Sequence, residues 1–114
     1  TGQGGLVAYL GTNSAYEAGQ RAKNGDEHAL LIYKGMAYQV AKEIGAIATV
    51  LEGQVDAIIL TGGIAYDEDF CKWIEERVGF IAKVIIYPGE DEMKALAEGV
   101  YYALKGEIEI REYI

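Results

Sequence analysis

The most chemically suggestive stretch of this 114-residue chain is an apolar run that ends in paired glycines. Thr61-Gly62-Gly63-Ile64 directly follows Val55-Asp56-Ala57-Ile58-Ile59-Leu60. The compact β-branched character of that run reads as a strand buried on both faces, the parallel-sheet type. In such sheets ligands sit beyond the carboxyl ends of the strands. Paired glycines let backbone N–H groups approach a ligand with no side chain in the way. A helix opening near Asp67 would aim its N-terminus at the same place, which favours anions. The plainer reading is a tight strand-to-helix turn that holds nothing.

Gly89-Glu90-Asp91-Glu92 also follows an apolar run and opens a helical pattern. Carboxylates so placed fit Mg²⁺, with waters and phosphates completing the shell. Acidic residues in a first helical turn also simply complement the macrodipole, and that reading is the weightier on spacing alone. Cys71, the single cysteine, has no histidine near it in sequence and reads as a small core residue. His28 is the only histidine, so a His-pair metal site is excluded, and its first-turn position reads as a solvated side chain. No Ser-His-Asp set can be placed.

These residues need elements to position them. The opening, Gly4 to Gly11, is too short and apolar for periodicity to separate strand from helix. Asn13-Ser14 offers caps for a helix over about Ala15 to Lys23, closed by Asn24-Gly25. Asp26 caps a long helix from Glu27 to about Leu51, with Leu31, Met36, Val40, Ile44 and Ile47 at helical spacing. After the Val55–Leu60 strand, Asp67 or Tyr66 opens a helix through Phe70, Trp73, Ile74 and Val78. Val84–Tyr87 reads as a second buried-type strand, stopped by Pro88-Gly89. A helix is then expected from Glu90 through Val100 and Leu104 to Gly106. The alternating tail, 107–114, reads as an edge strand or a docked extension. Strand-helix-strand order implies a right-handed crossover and a small parallel-type sheet packed with helices, an α/β fold. Two or three strands are few for a complete α/β domain, so the pattern reads as part of a sheet.

Composition narrows the function. The length fits one domain, 1–114. Charge is −8, from 10 basic and 18 acidic residues, which argues against a phosphate-tracking nucleic-acid surface. No apolar run reaches the ~18 residues needed to span a bilayer, and no basic-then-apolar leader opens the chain. One cysteine excludes an internal disulfide. Glycine, at 15 residues, is about twice as frequent as usual, and Tyr at 9 far exceeds Phe at 2.

Four ordered segments carry a family resemblance: 4–13 (GGLVAYLGTN), 36–46 (MAYQVAKEIGA), 55–65 (VDAIILTGGIA) and 87–93 (YPGEDEM). Together they resemble butyrate kinase, a carboxylate kinase of the acetate kinase, sugar kinase, Hsp70 and actin superfamily. The resemblance implies the C-terminal, nucleotide-binding lobe alone: a partial ribonuclease H-like, actin-like ATPase lobe of cytoplasmic origin. It implies ATP contacts at Asn13, Gly62, Gly63, Ile64 and Ala65, and Mg²⁺ assistance from Asp91 or Glu92. The family's phosphate-turn glycines, transition-state arginines and carboxylate-substrate contacts lie on another lobe. Phosphoryl transfer depends on such groups, so a lone lobe is expected to be non-catalytic and to require no cofactor of its own. A sheet edge bared by a missing lobe would be open to self-association.

The departures from the family pattern suggest a different use. After Asn13 the family typically reads Asp-Ala-Arg; this chain reads Ser14-Ala15-Tyr16. Ala18, Gly19, Ala22 and Gly35 are small where the family carries larger or charged residues, and mid-helix Gly19 and Gly35 each cost about 1 kcal/mol relative to Ala. Local rules broken without local gain mark functional or engineered sites. Small residues around Tyr16 form a dent beside an amphipathic aromatic, the chemistry of a protein-recognition patch. The patch comprises Ser14, Tyr16, Gly19, Gly35, Tyr101 and Tyr102, with Tyr33 as an addition. Two expectations follow. One is a non-catalytic protein-binding module, an engineered scaffold on a kinase lobe that binds or inhibits another protein. The other is a kinase fragment that keeps part of its ATP site.

Overall fold

The computed structural model describes residues 4–88, 100–104 and 110–113, the last two stretches as backbone. Among the described residues five strands form one sheet: β1 (Gly4–Tyr9), β2 (Ala57–Thr61), β3 (Lys83–Tyr87), β4 (Val100–Leu104) and β5 (Ile110–Tyr113). Their order is β3-β2-β1-β4-β5. The first four are mutually parallel and β5 is antiparallel to β4. The ambiguous opening segment is thus the central strand. Register aligns Val7 with Ile59, Tyr9 with Thr61, and Thr61 with Tyr87.

Among the described residues three helices cover one face: α1 (Asn13–Lys23), α2 (Glu27–Val50) and α3 (Glu68–Val78). α2 lies between the other two and packs on both. Leu6, Ala8 and Leu10 of the β1 segment and Ile58 and Leu60 of β2 meet Ile44, Ile47, Phe70 and Ile74 in one buried cluster. Val7 and Ile59, at the alternate strand positions, are buried as well. Burial on both faces is what the continuous apolar runs require. Each such aliphatic side chain contributes about 1.5–3 kcal/mol on leaving water.

Helix ends follow local chemistry. Asp26 caps α2 as expected, its carboxylate accepting the Ala29 N–H at 3.0 Å. α1 starts earlier than its spacing suggests, because Thr12, not Asn13 or Ser14, is the cap and accepts the Ala15 N–H at 3.1 Å. β3 is less buried than its sequence implies: Ile86 is exposed, since among the described residues β3 has a partner on one side only.

One expectation is corrected. Val100–Leu104 is not the end of a helix but strand β4, paired with β1 so that Tyr101 sits opposite Gly5 and Tyr102 opposite Leu6. Val-Tyr-Tyr favours strand, and a free hydrogen-bonding edge on β1 overrides a helical spacing of apolar residues. The earlier part of that expected helix, with Asp91 and Glu92, lies outside the described residues. With β5 the sheet has more strands than the two or three the pattern supplies.

Candidate functional site

The carboxyl ends of β1 and β2 are stitched together beyond the sheet. The Leu10 N–H donates to the Thr61 carbonyl at 2.6 Å, and the Ile64 N–H donates to the Leu10 carbonyl at 2.9 Å. Between these bonds the chain turns sharply at Gly62, where φ is +96° and ψ 177°. Only glycine adopts that combination without strain, and a Cβ there would also run into the Leu10 backbone. A single 3₁₀ turn, Gly63–Tyr66, then leads to Asp67 and α3. The Thr61 hydroxyl is fully buried and makes no hydrogen bond among the described residues, for which the geometry offers no reason.

Tyr16 reaches this turn from α1. Its hydroxyl lies where a Cβ of Gly63 would be, so Gly63 is small because a phenol sits on it. Gly19, one helical turn further along α1, is small for a parallel reason. A Cβ there would stand 2.9 Å from Cζ of Tyr33 and 3.1 Å from its hydroxyl. Tyr33 is therefore a core residue, 3% exposed, and not part of a surface patch. Its ring packs on Phe70 at 4.8 Å and edge-on to Trp73 at 5.8 Å.

The Tyr33 hydroxyl donates to Oδ2 of Asp67 at 2.6 Å. Lys23 Nζ, from the end of α1, stands 3.0 Å from the same oxygen. Oδ1 accepts the Asp69 and Phe70 N–H groups at 3.1 and 3.4 Å. One carboxylate thus ties all three helices together. Burial pushes the Asp67 carboxyl upward, but the hydrogen bonds from Tyr33 and Lys23, the Phe70 N–H and the Lys23 charge outweigh it and hold the group below its ordinary range. Burial, followed by the Asp67 contact, pushes the Tyr33 phenol well above its usual value. α3 is thus capped by the carboxylate of Asp67, which accepts from the Asp69 and Phe70 N–H groups at the helix start.

A cleft of about 170 Å³ opens over the turn, walled by Tyr16, Gln20 and Lys23 of α1 and by Gly63, Ile64 and Tyr66. Tyr16 and Tyr66 are 47% and 72% exposed. A larger crevice of about 360 Å³ lies beside it, at the end of β1, between the start of α1 and the Met36–Glu43 side of α2.

The expected site residues divide between places. Tyr16, Gly19, Gly63 and Ile64 converge on the smaller cleft. Ser14 lines a different hollow, with Glu17, Asp26 and His28. Asn13 is exposed at the first turn of α1. Ala65 is buried, and its carbonyl accepts the Cys71 thiol at 3.5 Å. Burial, aided by Asp67 and Glu75, raises that thiol to about 11, so Cys71 is a core residue and no nucleophile. Gly35 faces open space on α2. Tyr101 and Tyr102 belong to the β4 backbone. Among the described residues no group of three or more His, Cys, Asp or Glu side chains could hold a metal ion, and no helix is long and apolar enough to cross a membrane.

Sequence reasoning missed the Asp67 hub. Its cap position before α3 was visible, but nothing local announces that Tyr33, 34 residues earlier, and Lys23 converge on it.

These features define a class: a partial ribonuclease H-like α/β lobe with a cleft beyond the carboxyl ends of parallel strands. The model of the Acetokinase family matches residues 2–81. The chain belongs to that family.

Proposed function

We propose that this chain holds the nucleotide for an ATP-dependent carboxylate kinase, with butyrate as the substrate its finer resemblance indicates. The observation that carries this reading is the cleft beside Gly63, directly after the Gly62 turn. A tight glycine turn there, with the Tyr16 phenol lying on Gly63, borders a small hollow at the place where parallel sheets receive ligands. The residues suit the nucleoside end of such a ligand: an aromatic wall, the Gln20 amide and a single rim cation, Lys23. Phosphoryl transfer needs concentrated positive charge around the migrating group, which a second lobe would supply. ATP is the implied ligand, and Mg²⁺ would accompany its phosphates.

Isothermal titration with Mg-ATP tests the reading, paired with a coupled assay for butyryl phosphate formation. Saturable heat without turnover supports a nucleotide-holding lobe. No heat with Mg-ATP or Mg-ADP overturns it. A second reading, the non-catalytic protein-binding scaffold, draws on the exposure of Tyr16 and Tyr66 side by side. Its other argument weakens, because Gly19 is small to admit Tyr33 and not to receive a partner. It gains the upper hand if nucleotides give no heat and Tyr16→Arg abolishes affinity for a protein ligand.

A further inference from the structure

The outer side of α2 borders an open trough that shares no lining residue with the cleft at the glycine turn. Two adjoining hollows of about 240 and 450 Å³ make it up, both lined by Gly45, Phe80 and Ile81. Gly45 joins them. A Cβ there would meet nothing within 4 Å, so the fold gains nothing from a glycine that weakens its helix. Phe80 borders both hollows and is 86% exposed. A lone exposed phenylalanine is ordinary, but one set between two apolar hollows adds wall area for a ligand.

The two ends of the trough differ in charge. At one end Lys42 Nζ and the Arg77 guanidinium lie over the Tyr38 ring, 5.5 and 4.5 Å from its centroid. Neither cation makes an ion pair among the described residues, where both salt bridges involve α1. In a chain of net charge −8 they form a local basic point beside an apolar surface. At the other end the charged lining residue is Glu52. From Tyr38 to Thr49 the helix rises about 16 Å, the span of an extended hydrocarbon chain. We propose that this trough binds a long-chain acyl carboxylate, its head held by Lys42 and Arg77 and its tail laid past Gly45 and Phe80. Repulsion from Glu52 disfavours the reverse direction. The site does not depend on the nucleotide-holding reading.

Calorimetric titration of the 114-residue chain with octanoate, decanoate and dodecanoate, each below its micellar concentration, tests this site. Saturable binding is expected, tightening about threefold for each methylene that enters the trough. Decyltrimethylammonium carries a similar tail and the opposite head charge, and is expected to bind at least about tenfold more weakly than decanoate. The double variant Lys42→Gln/Arg77→Gln should weaken decanoate by about tenfold or more while keeping the gain per methylene. Gly45→Leu fills the junction, so dodecanoate should bind it no more tightly than octanoate. Leucine is a better helix former than glycine and finds open space there, so this variant should resist urea at least as well as the parent, which separates lost binding from lost folding. A parent that gives no saturable heat, or affinities indifferent to chain length, overturn the proposal. Equal affinity for the cationic amphiphile does so too, as does parental binding of dodecanoate by Gly45→Leu or of decanoate by the glutamine pair.

Discussion

Glycines at the carboxyl end of the sheet and glycines along the outer side of α2 are the same residue under opposite constraints. At the sheet end each is crowded: Gly62 by the Leu10 backbone, Gly63 by the Tyr16 hydroxyl, Gly19 by the Tyr33 ring. Along α2, a Cβ added at Gly35 or Gly45 meets nothing within 4 Å. The cleft end is therefore built around missing side chains, while α2 merely tolerates them. A high glycine count carries no such information by itself.

The sharpest break of this contrast is at Gly62. Gly62→Ala must hold a side chain at φ +96° and push it into Leu10. The backbone strain alone costs about 1–3 kcal/mol, and overpacking adds about 1–3 kcal/mol more. Urea titration should show a large loss of stability, with the cleft lost as well; a loss under about 1 kcal/mol would mean the turn relaxes at little cost. Gly19→Ala comes next. Sequence alone predicts a gain of up to about 1 kcal/mol for replacing a mid-helix glycine. The structure reverses the sign, because the Tyr33 ring is buried, hydrogen-bonded to Asp67 and unable to retreat. A loss of about 1–3 kcal/mol is expected, and the double variant Gly19→Ala/Tyr33→Leu should recover part of it.

That reversal marks where the sequence stopped being legible. The three helices, the Asp26 cap and β2 could all be read from local pattern, because each is set by residues within a turn or two. β4 could not: its apolar spacing also suits a helix, and only the vacant edge of β1 decides. The Gly62-Gly63 turn was legible as a turn, since paired glycines after a buried strand have few other uses. Its occupant was not. Tyr16 was read as a departure facing outward with Ser14, yet two residues apart on a helix point to nearly opposite sides. Tyr16 accordingly lies on Gly63 while Ser14 lines another hollow.

A smaller effect separates the Asp67 hub from simple packing. Tyr33→Phe keeps the ring against Gly19, Phe70 and Trp73 and removes only the hydroxyl. A hydrogen bond to a charged group is worth about 1.5–3 kcal/mol, partly offset because Lys23 and two backbone N–H groups still hold the carboxylate. The pH dependence supplies the signature. Asp67 is depressed in the folded state, so its contribution is present above the unfolded carboxyl value and is lost as pH falls through the folded one. Tyr33 is raised, so its contribution is present below the unfolded phenol value and is lost as pH climbs beyond it. In Tyr33→Phe the acid unfolding midpoint should move to higher pH, and the alkaline decline should flatten. Parallel profiles for parent and variant would show that the hydroxyl couples to neither limb.

The smallest effect tests the other side of the contrast. Gly35 sits in α2 with ordinary helical backbone and open space where a Cβ would point. Gly35→Ala then restricts the unfolded chain and costs the folded one nothing, a gain of about 0.5–1 kcal/mol. For a domain of this size that corresponds to a rise in Tm of roughly 4–8 °C per kcal/mol. The opposite sign from Gly19→Ala, at the same substitution in a neighbouring helix, is what the contrast demands. Because Gly35 lies on α2 away from the turn, Gly35→Ala should also leave nucleotide affinity as it is. A Gly35→Ala protein that melts lower would mean that something packs against the outer side of α2 in solution, and the division between required and tolerated glycines would then fail at its simplest member.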